Sequence, residues 1–226
     1  MTNNAPYPFT QSLPSAIKEE HIMKKTAIFV DHENLTICAR NRGVCVDYYA
    51  FKEYLASEEE GRIPLEAFCY VAIDPRNEHA KDKEIQHMEE DGWFVKTKRG
   101  APCAEGKYKC NVDIELAIDM ISFAYDAKPD VIVLVSGDQD FTAAVRKLRK
   151  RGIRVEVAAF PENISPILLN AASGFINLEM YFEQSDIEPE QPCFDKCFDE
   201  KSKPDEKADI KDAVQEGGVP KSMDYF

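Results

Sequence analysis

Four aspartates stand where a folded chain could bring oxygen ligands together. Asp31 closes an apolar run, Ala27-Ile28-Phe29-Val30. Asp138 and Asp140 follow a second run, Val131 to Val135, within Ser136-Gly137-Asp138-Gln139-Asp140-Phe141. Asp113 opens a helical pattern after a Lys-rich stretch. Gathered carboxylates repel and raise one another's pKa. A divalent cation removes that conflict, and Mg²⁺ is commonly held by one or two carboxylates with water and phosphate oxygens. Such an ion activates water and steadies the charge of an in-line displacement at phosphorus. The expected chemistry is metal-assisted hydrolysis of a phosphoester, with Mg²⁺ or Mn²⁺ as the ion and Asp31, Asp113 and Asp138 as its ligands. No His or Cys is well placed to share the task. His32 is expected to turn into packing, and the spacing of His79 and His87 does not suit an i, i+4 metal pair.

Each acid also has a plainer role. Asp113, Asp138 and Asp140 all suit helix caps, where free amide groups and the helix dipole favour an anion. Asp31 is harder to explain that way, because an acid directly after a buried strand is costly without a partner.

The elements that must position these residues follow from periodicity. Ala27–Val30, Leu65–Ile73, Trp93–Val95, Val131–Val135 and Ile153–Ala159 read as strands, and Phe175-Ile176 as a further edge strand. Between them, 78–90, 112–125, 141–151 and 165–172 read as helices, two of them stopped by Gly92 and Gly152. In the 112–125 helix, Val112, Leu116, Met120 and Phe123 form one apolar stripe, and Ile114, Ile118 and Ile121 are read as widening it. This alternation predicts a parallel sheet with helices on both faces. Sites in such sheets form beyond the carboxyl ends of the strands. Asp31, Asp138 and Asp140 fall there, and Asp113 can return to the same end.

Composition bounds the partners. The chain has 226 residues, 44% of them hydrophobic, and a net charge of −13. No apolar run approaches the ~18 residues of a membrane span, and the polar start is no secretory signal, so no membrane and a cytoplasmic setting are expected. Residues 1–24 read as an irregular leader, 25–182 as the α/β domain and 183–226 as a disordered tail. That tail holds thirteen acids and six Lys, about half the net charge. Seven Cys at irregular spacing argue against a disulfide framework. Against the acidic total, Lys96, Lys98, Arg99, Lys107 and Lys109 form a basic loop feeding into Asp113. Lys98, Arg99, Lys107 and Lys109 are expected to hold neighbouring phosphates of a nucleic-acid backbone; the bland alternative is a solvated surface. A second basic run, Arg146 to Arg154, is assigned to structure, since cations complement a helix C-terminus. Tyr48, Tyr49 and Phe51 fit core packing better than base stacking.

Three stretches resemble the motifs of one family. Phe29-Val30-Asp31-His32-Glu33-Asn34 resembles the opening motif of NYN domains, a branch of the PIN-like nucleases. Val112-Asp113-Ile114-Glu115-Leu116-Ala117-Ile118-Asp119 looks like the middle motif and Ser136 to Phe141 like the third. The resemblance covers about residues 25–180. It implies a Rossmann-like three-layer α/β/α sandwich with a mostly parallel sheet of five or six strands. It also implies a metal-dependent ribonuclease, with RNA as partner. By the same resemblance Asp31, Asp113, Asp138 and Asp140 hold metal and position water, Asn34 orients Asp31 or a phosphate oxygen, and Ser136 donates a hydrogen bond inside the site. Asp119 also matches, yet on a helix it turns roughly 120° from Asp113. The alternatives are a haloacid-dehalogenase-type phosphatase, disfavoured because position 33 is Glu, and a non-catalytic regulator of the same fold that binds RNA or protein. A homodimer and a protein contact for the acidic tail stay open.

Overall fold

In this computed structural model, residues 23–102 and 108–184 are described. The expected leader up to residue 22, Lys107 and the tail from residue 185 lie outside them. The elements run β1 (Lys24–Asp31), α1 (His32–Asn41), α2 (Tyr48–Leu55), β2 (Arg62–Ile73), α3 (Asp82–Glu90), β3 (Phe94–Arg99), β4 (Ala101–Pro102), β5 (Tyr108–Lys109) and α4 (Asp113–Asp126). Then come β6 (Val131–Val135), α5 (Thr142–Arg149), β7 (Arg154–Ala159), α6 (Pro166–Ala171), β8 (Gly174–Asn177) and α7 (Leu178–Gln184). Six strands form one sheet in the order β3-β2-β1-β6-β7-β8, every neighbouring pair parallel. The small pair β4-β5 is antiparallel.

Strand periodicity splits the core into two layers. On one face Ile28, Val30, Val131, Val133 and Val135 pack with Leu35, Phe51, Met88 and Leu178. On the other Ala27, Phe29, Ile132 and Leu134 pack with Leu116, Met120, Val145 and Leu168. Side chains alternate along a strand, so Asp31 and Ser136 inherit the second face, the side of α4 and α5. The pairing of Val30 with Val135 brings the last residue of β1 and the residue after β6 side by side. From β1 the chain leaves to β2 on one side, and from β6 to β7 on the other. The strand order therefore reverses between β1 and β6, the crevice where open α/β sheets hold ligands.

Several boundaries differ from the sequence reading. The third strand runs on to Arg99, so Lys96, Lys98 and Arg99 lie on an edge strand and not in a loop. The helix expected from residue 78 starts at Asp82. An additional helix, α7, follows the edge strand, and Tyr181 and Phe182 pack it against Phe51 and Phe160. Ile114 and Ile118 do not widen the core stripe of α4: they are 62% and 57% exposed. On a 3.6-residue period they fall on the side away from Leu116 and Met120. The thiols of Cys38, Cys69 and Cys110 are free, whereas Cys45 is disulfide-bonded. An isolated bridge needs no regular spacing, so irregular cysteine positions do not signal it. Among the described residues no helix is long and apolar enough to cross a membrane.

One buried charge is resolved by geometry. Glu156 in β7 accepts from Arg62 at 2.8 Å and from Arg154 at 2.5 Å. Burial pushes its carboxyl up, but the two guanidinium groups hold it below the usual range. Removing one partner of a buried pair leaves a charge without compensation. Arg62→Ala should lower unfolding stability by about 3 kcal/mol, read by urea titration; a change under ~0.5 kcal/mol would show that Arg154 alone suffices.

Candidate metal centre

Asp31 is both the last residue of β1 and the N-cap of α1. Its Oδ1 accepts the Asn34 amide proton at 3.2 Å, and its Oδ2 accepts the Ser136 hydroxyl at 3.3 Å. The side chain is nearly sealed, at 6% exposure. Burial above all, and then the charges of Asp113 and Glu33, raise its pKa to about 6 against the pull of those two hydrogen bonds.

The loop after β6 is fixed by the same residues. Ser136 Oγ accepts the Asp138 amide at 3.2 Å, and Asn34 Oδ1 accepts the Gly137 amide at 3.1 Å. Asp138 caps the 3-10 turn Gln139–Phe141, its Oδ1 accepting the Asp140 amide at 3.0 Å. The capping role weighed for Asp138 is thus real and leaves Oδ2 uncommitted to that bond. Asp113 is the first residue of α4, whose start is held by the Asn111 side chain accepting the Asp113 amide at 2.9 Å. One oxygen from each of Asp113, Asp138 and Asp140 lies within 4.8 Å of the other two. Burial first, then the charges of Asp138 and Asp140, push the Asp113 carboxyl above its usual range. The compact trio therefore includes Asp140, while Asp31 stands on its buried side, close enough for its pKa to feel Asp113. An all-carboxylate donor set fits a hard divalent cation.

The basic residues are placed less freely than their sequence positions imply. Lys98 donates to Glu115 at 2.6 Å and to the Asn111 carbonyl at 2.8 Å, and Arg99 pairs with Glu78. Lys107 lies outside the described residues, and for Lys109 only the backbone position in β5 is described. Asp119 accepts from Tyr70 Oη at 2.8 Å and Lys96 Nζ at 2.6 Å, turned away from the trio as the helix period requires. In the second basic run Arg149 donates to the Ala171 carbonyl and Arg151 lies over the Tyr125 ring. Tyr48 and Phe51 are buried, and Tyr49 is exposed.

The partners of His32, whose packing was expected, and the close approach at Gly137 escaped the sequence reading. His32 is fully buried, with Nε2 2.9 Å from Glu84 Oε1, which also accepts from Tyr48 Oη at 3.2 Å. Glu84 would rise through burial, but His32, Lys81 and Tyr48 draw it below its usual range. At Gly137 a Cβ would collide with the Asn163 carbonyl, and the Gly137 carbonyl accepts from the Ser165 amide at 2.9 Å. A Gly between Ser and Asp in the third motif was the available signal.

A parallel sheet covered by helices on both faces, with an acid cluster and a Ser-Gly-Asp turn at its reversal point, defines the class as an α/β fold of Rossmann-like architecture. The family model for the NYN domain matches residues 25–179, and the chain belongs to that family, a PIN-like nuclease family. It is 28% identical over 161 residues to the low amplitude and bright protein LabA of Synechococcus elongatus, covering 68% of this chain and 83% of that one. It is 30% identical over 107 residues to the uncharacterized protein MJ0482 of Methanocaldococcus jannaschii, covering 47% of this chain and 40% of that relative. Among solved structures it is similar to VPA0982 of Vibrio parahaemolyticus, a protein of unknown function. The TM-score is 0.58 at 27% identity, covering 70% of this chain and 94% of that one.

The raised pKa of Asp31 sets a pH dependence. Its folded value, about 6, exceeds the unfolded 3.8. The group therefore favours folding below the unfolded value, and that contribution is lost as pH rises through 6. With chelator at pH 8, Asp31→Asn should be more stable than the parent by on the order of 2–3 kcal/mol. The gain should vanish near pH 4; equal stability at both pH values would refute the strained carboxylate. Gly137→Ala should cost about 1–3 kcal/mol through the Asn163 collision, seen as a lower melting temperature.

Proposed function

We propose that this protein is a Mg²⁺- or Mn²⁺-dependent ribonuclease that hydrolyses phosphodiester bonds in RNA. The observation that carries the reading is the meeting of Asp113, Asp138 and Asp140 within 4.8 Å, beside buried Asp31, at the reversal point of the sheet. Mutually repelling carboxylates raise the energy of the metal-free fold, a cost that a purely structural or binding surface has no reason to keep.

Asp113, Asp138 and Asp140 would hold the cation, with Asp31 closing the buried side. When bound, the ion supplies activation of water and neutralisation of charge developing on the scissile phosphate. The chain's own groups do the remaining work. Ser136 and the Asn34 amide fix the Asp31 carboxylate, and the Asn34 side chain fixes the loop that carries Asp138. A carboxyl that titrates near neutrality suits proton transfer, since catalytic acids and bases work best close to the operating pH. Lys98 and Arg99 are available to neighbouring phosphates because exposed ion pairs such as theirs with Glu115 and Glu78 are worth only about 0–1 kcal/mol.

The purified chain should cut RNA with Mn²⁺ and stop on chelation. Asp31→Asn and Asp138→Asn should each slow cleavage by about 100-fold or more while circular dichroism stays unchanged. Cleavage without metal, or full activity in both variants, would reject these roles. RNA bound but never cut, across metals and substrates, would favour the regulator of the same fold.

A further inference from the structure

Between α4 and the edge strand β3 lies a cavity of about 390 Å³, whose lining includes Val112, the residue before Asp113. Tyr70 comes from β2, Lys96 and Lys98 come from β3, and Glu115, Ile118 and Asp119 come from α4. Its charges are balanced within the walls. Lys96 donates to Asp119 Oδ2, which also accepts from Tyr70 Oη, and Lys98 donates to Glu115. Lys96 and Asp119 offset each other's charge, so the part of the lining they form has little net pull on a phosphate or on a cation. What they leave is a donor beside an acceptor. Among the described residues Asp119 Oδ1 has no hydrogen-bond partner, and the Lys96 ammonium has further protons to give. Ile118, 57% exposed, adds an apolar wall. A neutral, flat ligand with apolar faces and a hydrogen-bonding edge matches all three features, and a nucleobase is such a ligand.

We propose that this groove is a base slot. A single RNA strand whose backbone reaches the acid trio turns one neighbouring base into it, with the base edge toward Lys96 and Asp119 and one base face along Ile118. The slot rests on the ribonuclease reading for its place beside the cut. Asp119 lies six residues along α4 from Asp113, a rise of roughly 9 Å, within reach of a nucleotide adjoining the one held at the acids. The base must be unpaired, because in a duplex its pairing edge is already occupied; sequence-specific RNA recognition mostly uses splayed, single-stranded bases. The consequence is a cut-site preference set by α4 and β3, away from the groups that perform the cleavage.

The test uses the full chain, Lys96→Ala and Asp119→Asn, with melting temperatures confirming that all three fold. Each digests random-sequence RNA with Mn²⁺, and the cut ends are sequenced. The parent should favour one base at a fixed position beside the cut by about fivefold or more, the lower end of what a paired contact to one base edge gives. Both variants should flatten that preference while still cutting. An identical preference in all three, or none in the parent, overturns the slot even though the nuclease reading stands. If no RNA is cut with any metal, the nuclease reading fails and a second measurement decides the slot. The four nucleosides, which carry no phosphate, are titrated with chelator present while the Ile118 methyl signals are followed by NMR. Shifts that weaken in both variants uphold base binding, and silence with all four nucleosides removes it.

Discussion

Asp31 occupies a position that a lone carboxylate would avoid. Its backbone belongs to a central strand covered on both faces, and its side chain is almost closed off from water. Two hydrogen bonds, from Ser136 and the Asn34 amide, hold it there without fully offsetting the burial, so its proton affinity stays high. Much else in the domain answers this constraint. The parallel register of β1 and β6 brings Ser136 alongside. The turn after Ser136 then aims Asp138 and Asp140 toward Asp113. Strain of this kind persists only where the surrounding fold over-determines it, and it tends to collect at functional sites.

The supports behind the acids are of a different kind. His32, next in sequence to Asp31, points into the opposite core layer and is tied to Glu84, which Tyr48 also engages. Three elements, α1, α2 and α3, are thereby linked directly behind the cluster. Gly137 serves in front of it, letting the segment that carries Asn163 and Ser165 approach the turn closely enough for a backbone hydrogen bond. The carboxylates are thus held by backbone geometry and a few polar contacts.

The surface charge pattern follows similar logic. Lys96 and Lys98 meet Asp119 and Glu115 across the groove between β3 and α4, and Arg99 pairs with Glu78 from the segment after β2. An acidic chain carries few cations to spare, and near the cluster those of β3 are shared between neighbouring acids and whatever phosphate arrives. In the proposed nuclease, polynucleotide contact would depend on exchange of weak surface pairs more than on a broad positive field.

The sequence by itself determined the alternation of strands and helices, the parallel sheet with two covered faces, and the placing of Asp31, Asp138 and Asp140 beyond strand ends. Each of these follows from local apolar periodicity and from acids that interrupt it. The motifs also pointed to Asp113. What only the tertiary structure decided is which oxygens stand together. That depends on strand order and register, which set Asp31 beside Ser136 and made Asp140 a member of the compact trio. Strand length was misjudged where Lys and Thr alternate along β3, because an exposed edge strand lacks the apolar signal of a central one. Ile114 and Ile118 looked like core for the reverse reason: their residue type is apolar, but which side of a helix meets the sheet is fixed by packing, and packing turned them to solvent.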